Sequence, residues 1–436
     1  MLLFTPQAEK FFPEVISSTK SWSDLIKELP SHCDNLTNLV LADDNSASTV
    51  YNAKNREDLL SGPSQLVTAK LNKLNSASTS GKLIVSNAEK FFAELFDCPE
   101  SAKCVRQILD KSWIDEETVL KEISSLPKNK SPGIDGIPYD FIKAFPSQFA
   151  KLLTKEFNDI LRGNFKEYWK FEIIKLILKK GDLSNVNNWR LITLLNCAWK
   201  IFTSIINRRL WIHCINKLEI EQTGFIPGLW IQENHLVAEA VLKTGKKKKI
   251  SGGITFLDFY HAFDTVFHKW IMDQIKKKCS DEPDLICIIS LILGGKSSIL
   301  WEGKVREIAF NIYRGVRQGD VISPLLFNIA LDPFLKALRE LEGISICGVK
   351  INTIAYADDC SIIIKNENDF ILLDSILKKF EKQSGLSVNV KKTKFMPFAH
   401  SSLCHRLYEN VKSFELLGVH FDNHGNYLWE PLMKNG

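Results

Sequence analysis

From Ile114 onward, apolar residues recur with regular periods, and the period changes along the chain. Helical spacing of apolar positions predicts helices over 117–126, 146–162 and 199–218, while a β-branched run predicts a short strand over 173–178. Residues 254–257 read as a buried strand that delivers Asp258 at its end. Ser323 followed by Pro324 starts another helix, with Leu325, Leu326, Ile329 and Ala330 as its apolar stripe, and Pro333 is expected to kink or end it. Two β-rich runs, 353–357 and 360–364, flank Asp358 and Asp359 and predict a hairpin with the acids at its turn. Phe370, Leu373, Leu377 and Phe380 then share one helix face that Gly385 closes, and Leu386, Val388 and Val390 alternate as a following strand. Strands and helices in this mixed order predict an α+β fold, a sheet covered by helices on one side. Before position 116 the Ser/Asn/Thr-rich stretches 43–49 and 75–81 read as loops between helices, so the main domain is expected to start near Glu116, after a mostly helical extension over 1–115.

Composition adds limits. With 45% apolar and 25% charged residues the chain reads as an ordinary globular protein, and 436 residues suffice for two or three domains. A net charge of +5 does not by itself indicate a nucleic-acid partner. Lysines do cluster at Lys246 to Lys249, Lys276 to Lys278, Lys378 with Lys379, and Lys391, Lys392 and Lys394, although any single run reads equally as a solvated face. The ten cysteines form no C-x-x-C pair, so neither a zinc ribbon nor a disulfide framework is indicated. Cys404–His405, with His400 nearby, lacks further ligands and reads as structural. No leading secretory segment is evident, and the most apolar run, 285–293, is too short to span a bilayer; an intracellular, soluble protein with no membrane partner is expected.

The acids change the picture. Asp358 and Asp359 interrupt an otherwise apolar run, where an Asp-rich turn would be the bland explanation. Asp258 also ends an apolar strand, so a sheet can bring the two sites together. Clustered carboxylates repel and favour divalent cations, and Mg²⁺ prefers such oxygens together with substrate phosphates. On the acids alone, a metal site and a turn both stay open.

Longer motifs carry a resemblance. Phe256-Leu257-Asp258-Phe259-Tyr260-His261-Ala262-Phe263-Asp264, Arg314-Gly315-Val316-Arg317-Gln318-Gly319-Asp320 with Ser323-Pro324, and Tyr356-Ala357-Asp358-Asp359 resemble motifs A, B and C of reverse transcriptases, in that order. Upstream, the run from Lys128 to Pro138 and Gln222-Thr223-Gly224-Phe225-Ile226-Pro227-Gly228 resemble the non-LTR, LINE-type branch, and the likeness covers roughly residues 117 to 421.

The resemblance implies a right-hand polymerase fold, with fingers over 116–253, a palm over 254–421 and a fingers insertion near 265–300. Residues 422–436 are then the start of a truncated thumb. It implies RNA-templated DNA synthesis from a 3′-hydroxyl primer, with RNA template, DNA primer and dNTPs as partners and two Mg²⁺ ions, or Mn²⁺, as cofactors. Asp258 and Asp358 would be the main metal ligands, with Asp359 a third or a turn cap. Phe263 would be a steric gate against the ribose 2′-hydroxyl, or core packing. Arg190, with Lys179 or Lys180, would grip the triphosphate, and Gln318, Gly319 and Tyr356 would lie beside the nucleotide. Arg317 would at most contact phosphate. Lys392 would protonate pyrophosphate or track the nucleic-acid backbone, and Leu417-Gly418-Val419 would be the primer grip, or a plain hairpin turn. An RNA polymerase is disfavoured, because Phe263 would obstruct a ribonucleotide. The sequence departs from the pattern at Leu191, Leu229, Val321-Ile322 and His261, which keeps a second reading open: a weak or inactive relic that retains the fold and nucleic-acid binding. Either form would reside in the nucleus or a cytoplasmic ribonucleoprotein.

Overall fold

In the computed structural model, which describes residues 6–27, 78–98, 113–178, 186–301 and 304–428, the apolar runs fold into two main sheets. The first is built from Phe171–Leu178 (β1), Trp189–Leu194 (β2), Gly295–Trp301 (β4) and Lys304–Ile312 (β5), in the order β2-β1-β4-β5. Strand β1 pairs antiparallel with β2 and parallel with β4. The second contains Gly253–Leu257 (β3), Thr353–Tyr356 (β8), Asp359–Ile364 (β9), Lys394–Pro397 (β10) and Glu409–Asn410 (β11), in the order β11-β10-β3-β9-β8. Two hairpins stand apart, Ile344–Ile346 (β6) with Val349–Ile351 (β7) and Ser413–Leu416 (β12) with Val419–Asp422 (β13).

Every residue of β3 is buried, which requires cover on both faces of the second sheet. Alternation along the strands supplies it. Leu257, Ala355, Cys360, Ile362, Ile364 and Phe395 enter the main core, while Ile254, Phe256, Ile354, Ile363 and Met396 enter a separate cluster on the opposite face. Each large apolar side chain so buried contributes about 1.5–3 kcal/mol. The expectation of helices on one side is therefore corrected: the second face is closed by Ala238, Val241 and Leu242 of helix Ile231–Lys247 together with both hairpins. The first sheet has its own small core, onto which Ala88, Phe92, Leu95 and Phe96 of helix Ser78–Phe96 pack. That helix begins inside the stretch 75–81 read as a loop; the stretch 43–49 lies outside the described residues.

The expected helices form at Glu116–Ser124, Pro146–Leu161 and Cys197–Cys214. Helix Ser323–Leu338 runs through Pro333 instead of ending there. A mid-helix proline costs about 3 kcal/mol, but Leu331, Phe334, Leu335 and Leu338 beyond it are all buried, and their packing outweighs the lost bond. The Trp270 indole N–H donates to the carbonyl of Ala330, beside the break, at 2.9 Å. Helix Glu367–Ser384 buries Phe370, Leu373, Leu377 and Phe380 and ends where Gly385, at φ +79°, donates its N–H to Glu381 O. The strand expected at Leu386, Val388 and Val390 is absent. Those residues form a loop whose backbone is taken up by residues 258–260, and pairing resumes only at Lys394.

Candidate active site

Three backbone elements bring the acids together. Strands β3 and β9 are antiparallel, with Leu257 opposite Cys360, so the next step of the register sets Asp258 against Asp359. Directly opposed residues in such a ladder have Cα atoms about 4.5–5.5 Å apart. Tyr356 pairs with Asp359 across the β8–β9 hairpin, which leaves Ala357 and Asp358 as its two-residue tip. The carboxyl group of Asp359 is pushed up to about 6 from 3.8, first by desolvation and then by the negative charges of Asp358 and Asp258. Mutual repulsion of this kind is what a bound cation relieves. Among the described residues no three His, Cys, Asp or Glu side chains form a preassembled metal cage. The donor chemistry still fits Mg²⁺, which is usually held by one or two carboxylates plus substrate phosphates and water, not by an all-protein shell.

Asp258 is held at both ends of its peptide. Its N–H donates to the Thr393 hydroxyl at 3.2 Å, and its carbonyl accepts the Asn389 N–H at 2.7 Å. Thr393 is fully buried, and its role escaped the sequence because its partner lies 135 residues away. Lys392 projects, exposed, from the same loop, its own N–H bound to Asn389 O at 3.0 Å.

Phe263 is half-buried, its ring stacked on Phe327 of helix Ser323–Leu338 with centroids 4.4 Å apart and planes 15° from parallel. The packing that was the alternative reading of Phe263 is therefore present. Gln318 donates its amide to both oxygens of buried Asp264, at 2.9 and 3.2 Å, a partner the sequence did not disclose. The backbone carbonyl of Gln318 accepts the Thr193 N–H at 3.1 Å, tying the motif B loop to the end of β2, the strand on which exposed Arg190 stands. Gly319, at φ +113°, occupies the crossing; a Cβ there would lie 3.0 Å from Thr193 O. Lys179 and Lys180 lie outside the described residues.

Arg317 corrects an expectation. It is not available to phosphate: it is buried in an ion pair with Glu172 of β1 at 2.5 Å and also donates to the carbonyls of Ile292 and Gly294. Leu417 and Gly418, at φ +49° and +85°, form the tight turn of the β12–β13 hairpin, which Phe414 anchors by stacking on Phe256 with centroids 3.7 Å apart. Between this hairpin and the sheet lies a cleft of about 250 Å³ lined by Phe256, Leu257, Asp359, Cys360, Leu416 and Gly418, so the turn and Asp359 border the same cleft.

Motifs A and C thus lie on adjacent strands of one sheet, and motif B is tied to motif A through Gln318 and Asp264. A family model described as reverse transcriptase (RNA-dependent DNA polymerase) matches residues 177–421. The chain belongs to the reverse transcriptase family. It is 30% identical to a Pol polyprotein of the type-1 retrotransposable element R2 from Popillia japonica, over 61% of this chain and 37% of that protein. Identity is 26% to the transposon TX1 149 kDa protein of Xenopus laevis, over 72% of this chain and 26% of that one. It is also 26% to the RNA-directed DNA polymerase from mobile element jockey of Drosophila melanogaster, over 78% and 40%. The chain therefore spans well under half the length of these relatives, and its reverse transcriptase domain is of the non-LTR, LINE type with the α+β right-hand polymerase fold. Among solved structures it is similar to an apo telomerase from Candida tropicalis, with a TM-score of 0.43 and 13% identity over 61% of this chain and 56% of that one. No helix among the described residues is long and apolar enough to cross a membrane.

Proposed function

We propose that this domain is an RNA-directed DNA polymerase that extends a primer 3′-hydroxyl with dNTPs on an RNA template, using two divalent cations, with Mg²⁺ as the natural choice. The observation that carries the reading is the convergence of Asp258 with Asp358 and Asp359 at neighbouring strand ends, where burial first, and then the charges of Asp358 and Asp258, raise the Asp359 carboxyl. In this reading residues 116–253 with β4 and β5 act as fingers, residues 254–421 as palm, and the chain from 422 leads into a thumb.

Asp258 and Asp358 hold the cations, and Asp359 supports them from the start of β9. When bound, the cations activate the attacking hydroxyl and neutralise charge on the phosphates being separated. Arg190, exposed on β2, offsets the charge of the triphosphate, and the β2 link to Gln318 keeps that strand in register with the nucleotide site. Phe263, immobilised on Phe327, occupies the space a 2′-hydroxyl would need. Lys392 supplies a proton to the leaving pyrophosphate from the loop that wraps Asp258. The Leu417–Gly418 turn holds the primer end towards the acids.

Primer extension on an RNA template, comparing the purified protein with Asp358→Ala, tests this reading. Incorporation that depends on a divalent cation and falls at least a thousandfold in the variant is expected. Equal incorporation by both proteins would remove the acids from the mechanism, and none by either would favour the relic reading.

A further inference from the structure

The two-residue tip of the catalytic hairpin carries a difficulty that its own strands do not solve. Ala357 sits at φ +53°, a left-handed conformation that a non-glycine residue adopts at a cost, and its backbone N–H and C=O lie beyond the last ladder pair, Tyr356 with Asp359. Ala357 is also buried, so water does not satisfy those groups.

Their partner is a single side chain. Gln222, itself 3% exposed, accepts the Ala357 N–H through Oε1 at 2.7 Å and donates through Nε2 to the Ala357 carbonyl at 3.2 Å. The same Oε1 accepts the Gly224 N–H at 2.9 Å. An amide is the one neutral side-chain group that offers an acceptor and a donor side by side, as a backbone strand does. The flanking backbone continues the pairing along β8: Ala355 N–H donates to Glu221 O at 3.1 Å, and the Thr223 N–H and hydroxyl both donate to Ala355 O, at 3.0 and 2.9 Å. Gly224 lets the segment come this close, since a Cβ there would meet Ala357 N at 2.2 Å. The segment is fixed from the other side as well, by Asn328 of the motif B helix donating to Gly224 O at 2.8 Å and by Asn234 donating to the Thr223 hydroxyl at 2.7 Å.

We infer that Gln222 is a positioning residue of the polymerase site: by clamping both backbone groups of Ala357 it sets where the neighbouring Asp358 carboxylate stands, and it does so without touching substrate. The inference rests on the proposed role of Asp358. A displacement of about 1 Å at a reacting group can cost on the order of a hundredfold in rate. Gln222→Met keeps the length of the side chain and removes all three hydrogen bonds. It is expected to lower kcat by about that factor while the KM for dNTP and the affinity for a primer–template duplex stay within about threefold. Gln222→Glu keeps both N–H acceptances but sets a carboxylate oxygen against the Ala357 carbonyl in a buried site, so a loss of kcat at least as large is expected from it.

A readout independent of activity is hydrogen exchange of the peptide covering 353–364 in the free protein. Exchange at the hairpin tip is expected to accelerate at least tenfold in both Gln222→Met and Gln222→Glu, with the helices Pro146–Leu161 and Glu367–Ser384 unchanged. Unchanged tip exchange, or equal acceleration across the whole protein in both variants, overturns the inference, the second outcome making Gln222 a general stabiliser of the fold. If wild-type protein does not polymerise, the proposed function fails by itself, while the exchange comparison still decides whether Gln222 holds the tip.

Discussion

At the scale of single residues, the contacts of a side chain decide which of two readings it carries. Phe263 stacks on Phe327, so an alanine in its place leaves a hole where the 2′-hydroxyl would go without disturbing the acids. Phe263→Ala is expected to lower the preference for dNTP over rNTP, as a ratio of kcat/KM, by about 10–200-fold, the range of steric discrimination in a shaped pocket. Unaltered selectivity would return Phe263 to simple packing. His268 is buried, with Nε2 2.7 Å from Gly315 O in motif B, and desolvation lowers its pKa from 6.5 to about 4. The bond to a carbonyl requires Nε2 to donate. Below pH 6.5 the unfolded chain takes up a proton that the folded one refuses, so this histidine makes stability fall as pH drops from 6.5 towards 4, by up to about 3 kcal/mol. Asp135 acts in the opposite sense. Desolvation raises it from 3.8 to about 6, so its contribution is present at low pH and is lost as pH rises from about 4 through 6. Asp359, raised likewise to about 6, adds to the Asp135 slope. In His268→Gln, stability in urea should therefore fall more steeply with rising pH across this window than in the wild type, and in Asp135→Asn less steeply; parallel curves for all three proteins would refute the assignment.

At the scale of elements, much was legible because local signals and burial agreed. The hairpin bearing Asp358 and Asp359, the helix from Ser323 and the helix stopped by Gly385 formed where apolar period and turn chemistry put them. Legibility failed where tertiary contacts overrode local pattern. Val388 alternates with its neighbours like a strand residue, yet its segment spends its backbone groups on residues 258–260, a demand visible only once β3 and β10 are paired. Arg317 looked like a phosphate contact because a basic residue beside a glycine turn is normally exposed; nothing local announces Glu172, 145 positions earlier (317 − 172), as its partner. The β12–β13 turn offers a clean test of the primer-grip expectation. A Cβ on Gly418 would meet nothing within 4 Å, so Gly418→Ala is opposed only by its φ of +85°. A loss of about 1–2 kcal/mol is expected from urea unfolding, together with a raised KM for the primer–template if this turn grips the primer. A stability loss with unchanged KM would keep the turn structural.

At the scale of the whole molecule, the problem is how the first sheet, with its own core, is tied to the motif B loop, and a buried ion pair makes that tie. Glu172 lies on β1 of the first sheet, accepts the Ser297 hydroxyl from β4, and pairs with Arg317, whose neighbours Gln318 and Gly319 face β2. Desolvation pushes the Glu172 carboxyl up, while the Arg317 guanidinium and the Ser297 hydroxyl pull it back. Removing one partner strands the other. Arg317→Met is expected to destabilise by about 3–5 kcal/mol, because an uncompensated carboxylate remains in a dry interior. Glu172→Gln with Arg317→Met removes both charges and should recover at least half of that loss, since two fully desolvated charges contribute little net stability. Recovery of stability need not bring recovery of function. The guanidinium also holds the carbonyls of Ile292 and Gly294, so the double variant should fold yet leave the motif B loop less firmly set against β2. Urea unfolding and primer extension on the same proteins separate the two roles: restored stability with activity still reduced tenfold or more makes the pair a coupling between sheet and site, whereas activity that returns in step with stability would make it a structural contact alone.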